Sequence, residues 1–274
     1  MTTTIANVLS IAGSDPSGGA GIQADLKAFS ALGAYGCAVI TALTAQSTHG
    51  VTGVHVIPAG FVEEQLNTLL DDVRIDAVKI GMIANADIAR AVAGVLRERA
   101  VGAVVLDPVM VAKGGDRLLD EDAVAVVRER LVPLATVVTP NLLEAGELLG
   151  QVSPTDERTM EGAARELLKM GPEAVLMKGG HLEGKSSDDL LVSRDGMTRF
   201  KAARIDTKNT HGTGCTLSSA IAALLARGGS VEEAVRGAKN YITGAIAHAD
   251  ELEVGSGHGP THHFFALWDM GRGT

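Results

Sequence analysis

The chain of 274 residues has few aromatic side chains and little cysteine. Aromatic residues make up 3% of the sequence, and its two cysteines are Cys37 and Cys215. Two cysteines cannot form a disulfide framework, and they favour a reducing compartment. With so few aromatic side chains, the core must consist mainly of Ala, Val, Leu and Ile. That composition is typical of parallel strands covered by helices on both faces.

Two kinds of segment are also missing. No uncharged apolar run reaches about 18 residues, so we expect no transmembrane helix. The first residues lack a basic region followed by an apolar stretch, so we expect no signal peptide. The net charge of −9 disfavours nucleic acid and anionic membranes as partners. The sequence therefore predicts a cytoplasmic protein with neither of these partners.

Apolar runs of strand length alternate with helical patterns along the chain. We predict strands at 8–12, 37–43, 53–57, 77–80, 103–106, 136–138 and 174–177, and an edge hairpin at 190–192 and 198–203. We predict helices at 22–32, 61–70, 87–99, 120–131, 142–149, 156–169, 213–226 and 231–248. This alternation indicates one α/β domain over residues 1–274, with a mostly parallel sheet. In such sheets the ligand lies outside the carboxyl ends of the strands.

A glycine-rich motif, His211-Gly-Thr-Gly-Cys215, stands at the start of a long apolar helix. Glycine lets the backbone approach a ligand closely, and a helix N-terminus offers free N–H groups with a partial positive charge. Gly212, Thr213 and Gly214 could therefore form an anion hole for a transferring phosphoryl group. A tight turn that leads into a helix would give the same pattern.

Cys215 is the candidate catalytic residue. A thiol at a helix N-terminus often has a lowered pKa, and a thiolate could accept a proton from a substrate alcohol. An inert packed cysteine is the alternative. For Cys37, which lies inside an apolar strand, we favour the inert role.

A second glycine-rich loop, Gly13-Ser-Asp-Pro-Ser-Gly-Gly-Ala-Gly21, follows the first strand. It lacks the spacing of a dinucleotide-binding loop and the lysine of a P-loop. It still supplies backbone amides and opens a helix that carries Asp25. This carboxylate could bind a substrate amine or hydroxyl, or it could only interact with the helix dipole.

Polar side chains follow three later strands. Asp107 could orient Mg²⁺ through water. Asn141 and Glu144 are one helical turn apart, so both could face phosphates and Mg²⁺, although a helix-capping pair would have the same spacing. Lys178 ends a buried strand, where it could neutralise phosphate charge.

Three other features have weaker signals. The carboxamide of Gln46, in a loop after a strand, can donate and accept, which suits the edge of an aminopyrimidine. The stretch 110–118 could be a lid that excludes water, or a plain surface loop. The histidines of the C-terminal tail lack further ligands at zinc spacing, so we predict a solvated tail. They are His258, His262 and His263.

Taken together, these motifs resemble those of the bacterial hydroxymethylpyrimidine/phosphomethylpyrimidine kinases of thiamine biosynthesis, within the ribokinase superfamily. The resemblance covers nearly the whole chain. The matching stretches are 12–27, 40–46, 79–82, 106–110, 139–144, 177–181, 207–215 and 259–264. It implies a ribokinase-like three-layer α/β/α sandwich with a mostly parallel central sheet, and it implies MgATP as phosphoryl donor.

The resemblance also implies the reaction and the roles of residues. A hydroxymethylpyrimidine would be phosphorylated to its monophosphate and then to its diphosphate. The substrate would contact Gly13, Asp25, Gln46, Met82 and Val109. The nucleotide would contact Asn141, Glu144, Lys178, Thr207 and Gly212, and Mg²⁺ would be held, through water, by Asp107 and Glu144. Many ribokinase relatives carry an Asp base where Cys215 stands, and this departure leaves the chemistry of the base open.

Three other functions stay open from the sequence. A pyridoxal kinase also acts on a heteroaromatic hydroxymethyl compound. A non-catalytic pyrimidine-binding protein would need a damaged phosphate site. A hydrolase with Cys215 as nucleophile and His211 as base would lack a third catalytic member. A homodimer is expected, because it is the commonest symmetric state of soluble oligomers.

Overall fold

The computed structural model describes residues 4–99, 101–110, 119, 121–182, 184 and 186–268. The predicted lid at 110–118 lies, apart from Met110, outside these residues. The described strands are β1 (Asn7–Ala12), β2 (Tyr35–Ile40), β3 (Ala42–Ser47), β4 (Gly50–Val56), β5 (Ala77–Ile80), β6 (Ala103–Leu106), β7 (Val137–Val138), β8 (Ala174–Met177), β9 (Asp189–Ser193) and β10 (Gly196–Phe200).

Eight of these strands form one large sheet in the order β10-β9-β8-β7-β6-β5-β1-β2. From β2 to β8 every pair of neighbours is parallel, whereas β9 pairs antiparallel with both β8 and β10. The predicted edge hairpin is therefore confirmed. The chain passes from β1 to β2 on one side and then returns to β5 on the other, so strand order reverses at β1.

Helices cover both faces of this sheet. The described helices are α1 (Gly21–Ala31), α2 (Ala59–Leu70), α3 (Ala86–Glu98), α4 (Glu121–Val126), α5 (Leu142–Leu149), α6 (Glu157–Leu168), α7 (Thr213–Ala226), α8 (Val231–Ala247) and α9 (Phe265–Trp268). A π-helical turn at Val127–Leu131 continues α4, and short 3₁₀ turns occur at Val132–Leu134, Gly179–His181 and Ala249–Glu251.

Two apolar cores lie on either side of the sheet. One includes Leu66 of α2 and Ile88 of α3, and the other includes Phe29 of α1 and Ile221 of α7. Because both faces are covered, the central strands are apolar almost throughout, and β5 and β8 are buried along their whole length. The three-layer α/β/α sandwich is confirmed. No helix in the described part of the chain is both long and apolar enough to cross a membrane.

The predicted strand at 37–43 is wrong in one respect. Strand β2 ends at Ile40, and β3 leaves the large sheet to pair antiparallel with β4 in a two-stranded sheet. The break is at Thr41, whose buried hydroxyl donates to the carbonyl of Met82 at 2.6 Å. Gln46 consequently lies in β3 and not in a loop.

The predicted solvated tail is confirmed for His258, which is exposed, but it is wrong for the residues that follow. Thr261, His262 and His263 are buried. His263 Nε2 is 3.0 Å from the hydroxyl of Thr216 in α7, and Tyr241 of α8 donates its hydroxyl proton to the His263 carbonyl. Burial, reinforced by the positive charge of Lys27, lowers the His263 pKa to about 3, so this imidazole is neutral. The tail is a packed element of the α7–α8 layer.

Candidate active site

A cavity of about 680 Å³ opens at the carboxyl edge of the large sheet. Five of its lining residues come shortly after β1, β5, β6, β7 and β8, namely Gly13, Met82, Asp107, Asn141 and Lys178. The N-terminus of α7 and strand β3 also contribute to the lining. Parallel strands end at one edge of a sheet, so residues far apart in sequence meet there.

At one end of the cavity, Lys178 lies between two carboxylates. Its Nζ is 2.8 Å from Asp107 Oδ1 and 3.7 Å from Glu144 Oε2. Asp107 also accepts a hydrogen bond from the hydroxyl of Thr139 at 3.2 Å. One ammonium group thus faces two buried carboxylates, so one negative charge is only partly balanced.

The charges in this cluster shift one another's pKa values. Burial, helped by the charge of Asp107, outweighs the attraction of Lys178 and raises the Glu144 pKa to about 7. Burial also acts on Asp107, but the positive charges of Lys178 and Lys79 outweigh it and lower the pKa of that carboxyl. The pKa of Lys178 is raised, because both carboxylates stabilise its charge against the effect of burial.

The predicted Mg²⁺ site coincides with this cluster. The donor set fits the ion: Asp107 and Glu144 share one lysine, and Mg²⁺ commonly takes one or two carboxylates together with waters and substrate phosphates. Within the described chain, no group of three or more His, Cys, Asp or Glu side chains could hold a metal ion alone. Water and phosphate oxygens would have to complete the coordination.

Asn141 and Glu144 form a reciprocal cap at the start of α5. The Glu144 amide donates to Asn141 Oδ1 at 2.9 Å, and the Asn141 amide donates to Glu144 Oε2 at 2.7 Å. Both residues also line the cavity. The capping role and the predicted nucleotide contact are therefore compatible, since the cap fixes the carboxylate beside Lys178.

The N-terminus of α7 enters the cavity next to this cluster. Gly212 caps the helix with φ +75°, and a Cβ there would lie 1.7 Å from the carbonyl oxygen of Gly19. A Cβ on Gly214 would be 3.3 Å from Lys178 Nζ. These two contacts require glycine at Gly212 and bring the backbone of Gly214 close to the lysine. The start of the helix, where the Thr213 amide donates to the Thr210 carbonyl at 3.4 Å, thus adjoins the positive charge.

Cys215 lines the cavity one residue further along α7. The sequence left its protonation state open, with a lowered thiol pKa and an inert packed cysteine as alternatives, and the structure does not support a lowered pKa. Burial raises the Cys215 pKa to about 11, with the charges of Asp25 and Asp107 acting in the same direction. The nearby Lys79 and the backbone N–H of Gly21 act against this rise without cancelling it. Desolvation outweighs the helix N-terminus, and the thiol is neutral at pH 7.

Asp25, predicted to contact the substrate, does not line the cavity. It is fully buried, and both of its oxygens are 2.9 Å from Lys79 Nζ. The hydroxyls of Ser10 and Ser219 also donate to it at 2.6 Å each. These contacts leave this carboxylate no access to a ligand. It joins β1, β5, α1 and α7 beneath the site instead.

Thr207, predicted to contact the nucleotide, also lies apart from the cavity lining. Its hydroxyl donates to Asp250 Oδ1 at 2.6 Å. The same carboxylate oxygen accepts from Asn209 Nδ2 at 2.8 Å. Thr207 therefore ties the loop before α7 to the 3₁₀ turn that follows α8.

Four predicted substrate contacts do line the other end of the cavity: Gly13, Gln46, Met82 and Val109. A Cβ on Gly13 would lie 2.3 Å from Met82 Cε, so glycine makes room for that side chain. Apolar Met82 and Val109 and polar Gln46 together suit a flat ring with polar edges.

Sequence reasoning missed an important pair at this end. His211 Nε2 is 2.8 Å from Asp15 Oδ2 and 3.3 Å from the amide of Gln46. Burial acts to raise the Asp15 pKa, but hydrogen bonds from His211 and Ser17 outweigh it and hold the pKa at about 2. Asp15 and His211 are 196 positions apart, so no local pattern could have joined them.

The comparisons with known proteins agree with this geometry. Residues 15–262 match the family model for phosphomethylpyrimidine kinase. The chain is also 57% identical over 262 residues to the hydroxymethylpyrimidine/phosphomethylpyrimidine kinase of Salmonella typhimurium. That match covers 96% of this chain and 98% of that protein.

Two solved structures share the fold. Phosphomethylpyrimidine kinase from Clostridium difficile has a TM-score of 0.79 and 42% identity, covering 88% of this chain and 99% of that one. Pyridoxal kinase from Staphylococcus aureus, in complex with AMP-PCP and pyridoxal, has a TM-score of 0.89 and 33% identity, covering 97% of this chain and 96% of that one. Because the family match runs from the first cavity loop to the buried tail, the chain belongs to the phosphomethylpyrimidine kinase family.

Proposed function

We propose that this protein transfers the γ-phosphoryl group of ATP to 4-amino-5-hydroxymethyl-2-methylpyrimidine and then to the resulting monophosphate, in thiamine biosynthesis. One observation carries this proposal. A single cavity joins a phosphate end, built from Lys178 and the start of α7, to a ring-binding end built from Gln46, Met82 and Val109. Membership of the kinase family supports the same reaction.

The phosphate end would neutralise charge on the transferring group. Phosphoryl transfer has a loose transition state, so positioning and charge matter more than covalent chemistry. The amides of Gly212, Thr213 and Gly214 would receive the phosphoryl oxygens, and Lys178 would approach from the end of β8. Mg²⁺, when bound at Asp107 and Glu144, would neutralise phosphate charge. Asn141 would keep Glu144 in place through the cap.

Cys215 is the proposed proton acceptor for the substrate hydroxyl. In the free protein it keeps its own proton, so this role requires that bound MgATP lower the pKa of the thiol. In a loose transition state the hydroxyl loses its proton late, so a weak base is sufficient. The role therefore depends on the ligand-bound state.

Pyridoxal phosphorylation is the second candidate function. The Staphylococcus aureus pyridoxal kinase has the same fold at 33% identity, and its structure is a complex with AMP-PCP and pyridoxal. Pyridoxal is also a heteroaromatic hydroxymethyl compound. Its ring lacks the amino group beside a ring nitrogen that would pair with the Gln46 amide.

ADP release from MgATP tests this proposal, with hydroxymethylpyrimidine, its monophosphate and pyridoxal offered separately. Turnover of both pyrimidines, with pyridoxal far slower, is the expected result. Comparable turnover of pyridoxal would make the protein a broader vitamin kinase. Pyrimidine binding without turnover of any substrate would contradict the kinase proposal and favour a binding protein.

We also propose one kinase domain over residues 1–274, working in the cytoplasm as a homodimer. The large sheet runs through the described chain from Asn7 to Phe200, and the last long helices pack on it, which supports a single domain. Both cysteines are free thiols, which fits a reducing compartment. Light scattering of the purified protein at several concentrations measures the oligomeric state.

A further inference from the structure

We propose that His211 and Asp15 are positioning residues that lock the Gln46 amide in one orientation and so set the order of donor and acceptor offered to the substrate ring. This inference rests on the proposed pyrimidine substrate. It assigns His211 and Asp15 a role in substrate specificity, and it assigns neither of them a role in the chemical step.

One proton lies between His211 and Asp15. Their atoms Nε2 and Oδ2 are 2.8 Å apart, and the Asp15 carboxylate is ionised at neutral pH. An ionised carboxylate can only accept hydrogen bonds, so the His211 Nε2 carries the proton. The imidazole atom that faces Gln46 is therefore a donor.

The two ends of the Gln46 amide face different side chains. As placed, Nε2 is 3.3 Å from His211 Nε2, and Oε1 is 3.2 Å from Thr44 Oγ1. The Thr44 hydroxyl has one proton, and it donates to the Ser14 carbonyl at 2.9 Å. The donor end of the amide, Nε2, thus faces a donor at His211. The acceptor end, Oε1, faces an acceptor at Thr44.

Turning the amide end for end satisfies both contacts. Oε1 then shares the single His211 Nε2 proton with Asp15 in a three-centre hydrogen bond, and the NH₂ group donates to Thr44 Oγ1. Amide oxygen and nitrogen have nearly the same shape, so the exchange needs no other movement. The hydrogen-bond network therefore selects this orientation of Gln46.

The locked amide keeps one N–H and one oxygen lone pair for a ligand. A 4-aminopyrimidine presents an amino N–H beside a ring nitrogen acceptor, and the amide can match that pair. The 4-oxo analogue presents the reverse order, with an acceptor beside a ring N–H. A free amide could turn to suit either ring, whereas a locked one favours a single order. Leaving buried polar groups unpaired gives strong discrimination in such sites.

The lock is itself held in place by the backbone. Asp15 Oδ1 accepts from the amide and hydroxyl of Ser17, and Oδ2 accepts from the amide of Ala20 at 2.8 Å. The His211 amide donates to the carbonyl of Gly259 in the buried tail at 3.0 Å. These contacts hold Asp15 and the His211 backbone at fixed positions, and through them the nitrogen that faces Gln46.

The test compares kcat/KM for hydroxymethylpyrimidine and for its 4-oxo analogue. We expect the wild type to prefer the amino compound by at least about 100-fold, and His211→Leu to reduce this ratio by about tenfold or more. His211→Gln should keep most of the ratio, because its NH₂ group can donate to both Asp15 and Gln46. Thr44→Val, which frees the other end of the amide, should shift the ratio as His211→Leu does.

Thr52→Val is the matched control for Thr44→Val, because the exposed Thr52 hydroxyl donates to the Ala45 carbonyl at 3.1 Å, and this variant should keep the ratio. An equal proportional loss of kcat/KM for both compounds in His211→Leu and Thr44→Val would overturn the inference. A fall of the ratio in Thr52→Val as large as that in Thr44→Val would also overturn it. If a variant turns over neither compound, the ratio of their Kd values from calorimetry decides by the same criterion. A wild type that does not turn over the amino compound contradicts the proposed function, and an unchanged ratio contradicts the lock alone.

Discussion

At Cys215 two physical effects oppose each other. The start of α7 and the charge of Lys79 stabilise a thiolate, whereas burial and the carboxylates of Asp25 and Asp107 destabilise it. Burial has the largest effect, and the pKa rises to about 11. At pH 7 only about one molecule in 10⁴ then carries a thiolate. Because only the thiolate is nucleophilic, the alkylation rate must keep rising with pH until the pKa is reached, well beyond pH 9.

Alkylation with iodoacetamide measures this directly. In Cys37→Ser, which leaves Cys215 as the one thiol in the sequence, we expect the rate constant to keep rising between pH 9 and about 11. Mass spectrometry of the modified peptide follows the reaction, and Cys215→Ser is the blank. An apparent pKa below 8 in the ligand-free protein would contradict the account of this residue. A clear fall in pKa with MgATP bound would support its role as proton acceptor.

The residues of the site differ in how well the sequence predicts them. Asp107 and Lys178 were predictable because each directly follows a buried apolar strand, and the carboxyl ends of strands converge. The burial of Asp25 beneath the cavity was not predictable, because a position early in a helix does not show how far a side chain lies from the cavity. The pairing of Asp15 with His211 was out of reach, since it depends on the tertiary packing of two distant loops.

At the level of single elements, the entry into α7 is the most constrained. Gly212 has φ +75°, and its Cα lies so close to the Gly19 carbonyl that a Cβ has no room. Any side chain must push the glycine-rich loop after β1 away from the helix. That movement would separate the anion hole from the ring-binding end of the cavity.

Gly212→Ala should therefore lower kcat/KM for ATP by about 10²–10³, the loss typical of a displaced oxyanion donor. Gly228→Ala is the matched control, because Gly228 also has a positive φ of +91° but a Cβ there meets nothing within 4 Å. Both changes strain the backbone at φ > 0 by about 1–2 kcal/mol, and only Gly212→Ala should affect catalysis. Steady-state kinetics on both variants, together with their urea midpoints, separates the two effects. Equal activity losses would contradict the proposed anion hole.

Elements were easier to predict than their junctions. The buried strands and long helices followed from apolar runs and helical periodicity, and they occur near the predicted positions. The separation of β2 from β3 could not be predicted in this way, since the apolar pattern continues on both sides of Thr41. A single buried hydrogen bond from Thr41 to Met82 marks the break. Met82 follows β5, and the sequence alone does not show that this part of the chain lies next to Thr41.

For the whole molecule, the buried pair Asp25–Lys79 joins the sheet to the α1–α7 layer. Both side chains are fully inaccessible, and the pKa of Lys79 is raised because Asp25 stabilises its charge against burial. Two serine hydroxyls complete the shell around the carboxylate. Removing one partner would leave a buried charge without compensation.

Lys79→Met should therefore lower the free energy of unfolding by about 3–5 kcal/mol, the usual cost of breaking a buried ion pair. Urea denaturation followed by circular dichroism measures the loss. Glu161→Gln, which breaks the exposed pair with Arg165 in α6, is the control and should change stability by about 0.5 kcal/mol or less. A loss below 1 kcal/mol for Lys79→Met would show that the pair does not hold the layers together.

The most direct test of the central claim, that one cavity performs both phosphorylations, is a ³¹P NMR time course. It uses the purified protein with MgATP and hydroxymethylpyrimidine. We predict that the monophosphate signal rises first and then falls as the diphosphate signals grow, with ADP formed in each step. Lys178→Met should slow both steps together, because both use the same phosphate end. A reaction that stops at the monophosphate, or a variant that loses only one step, would contradict the account.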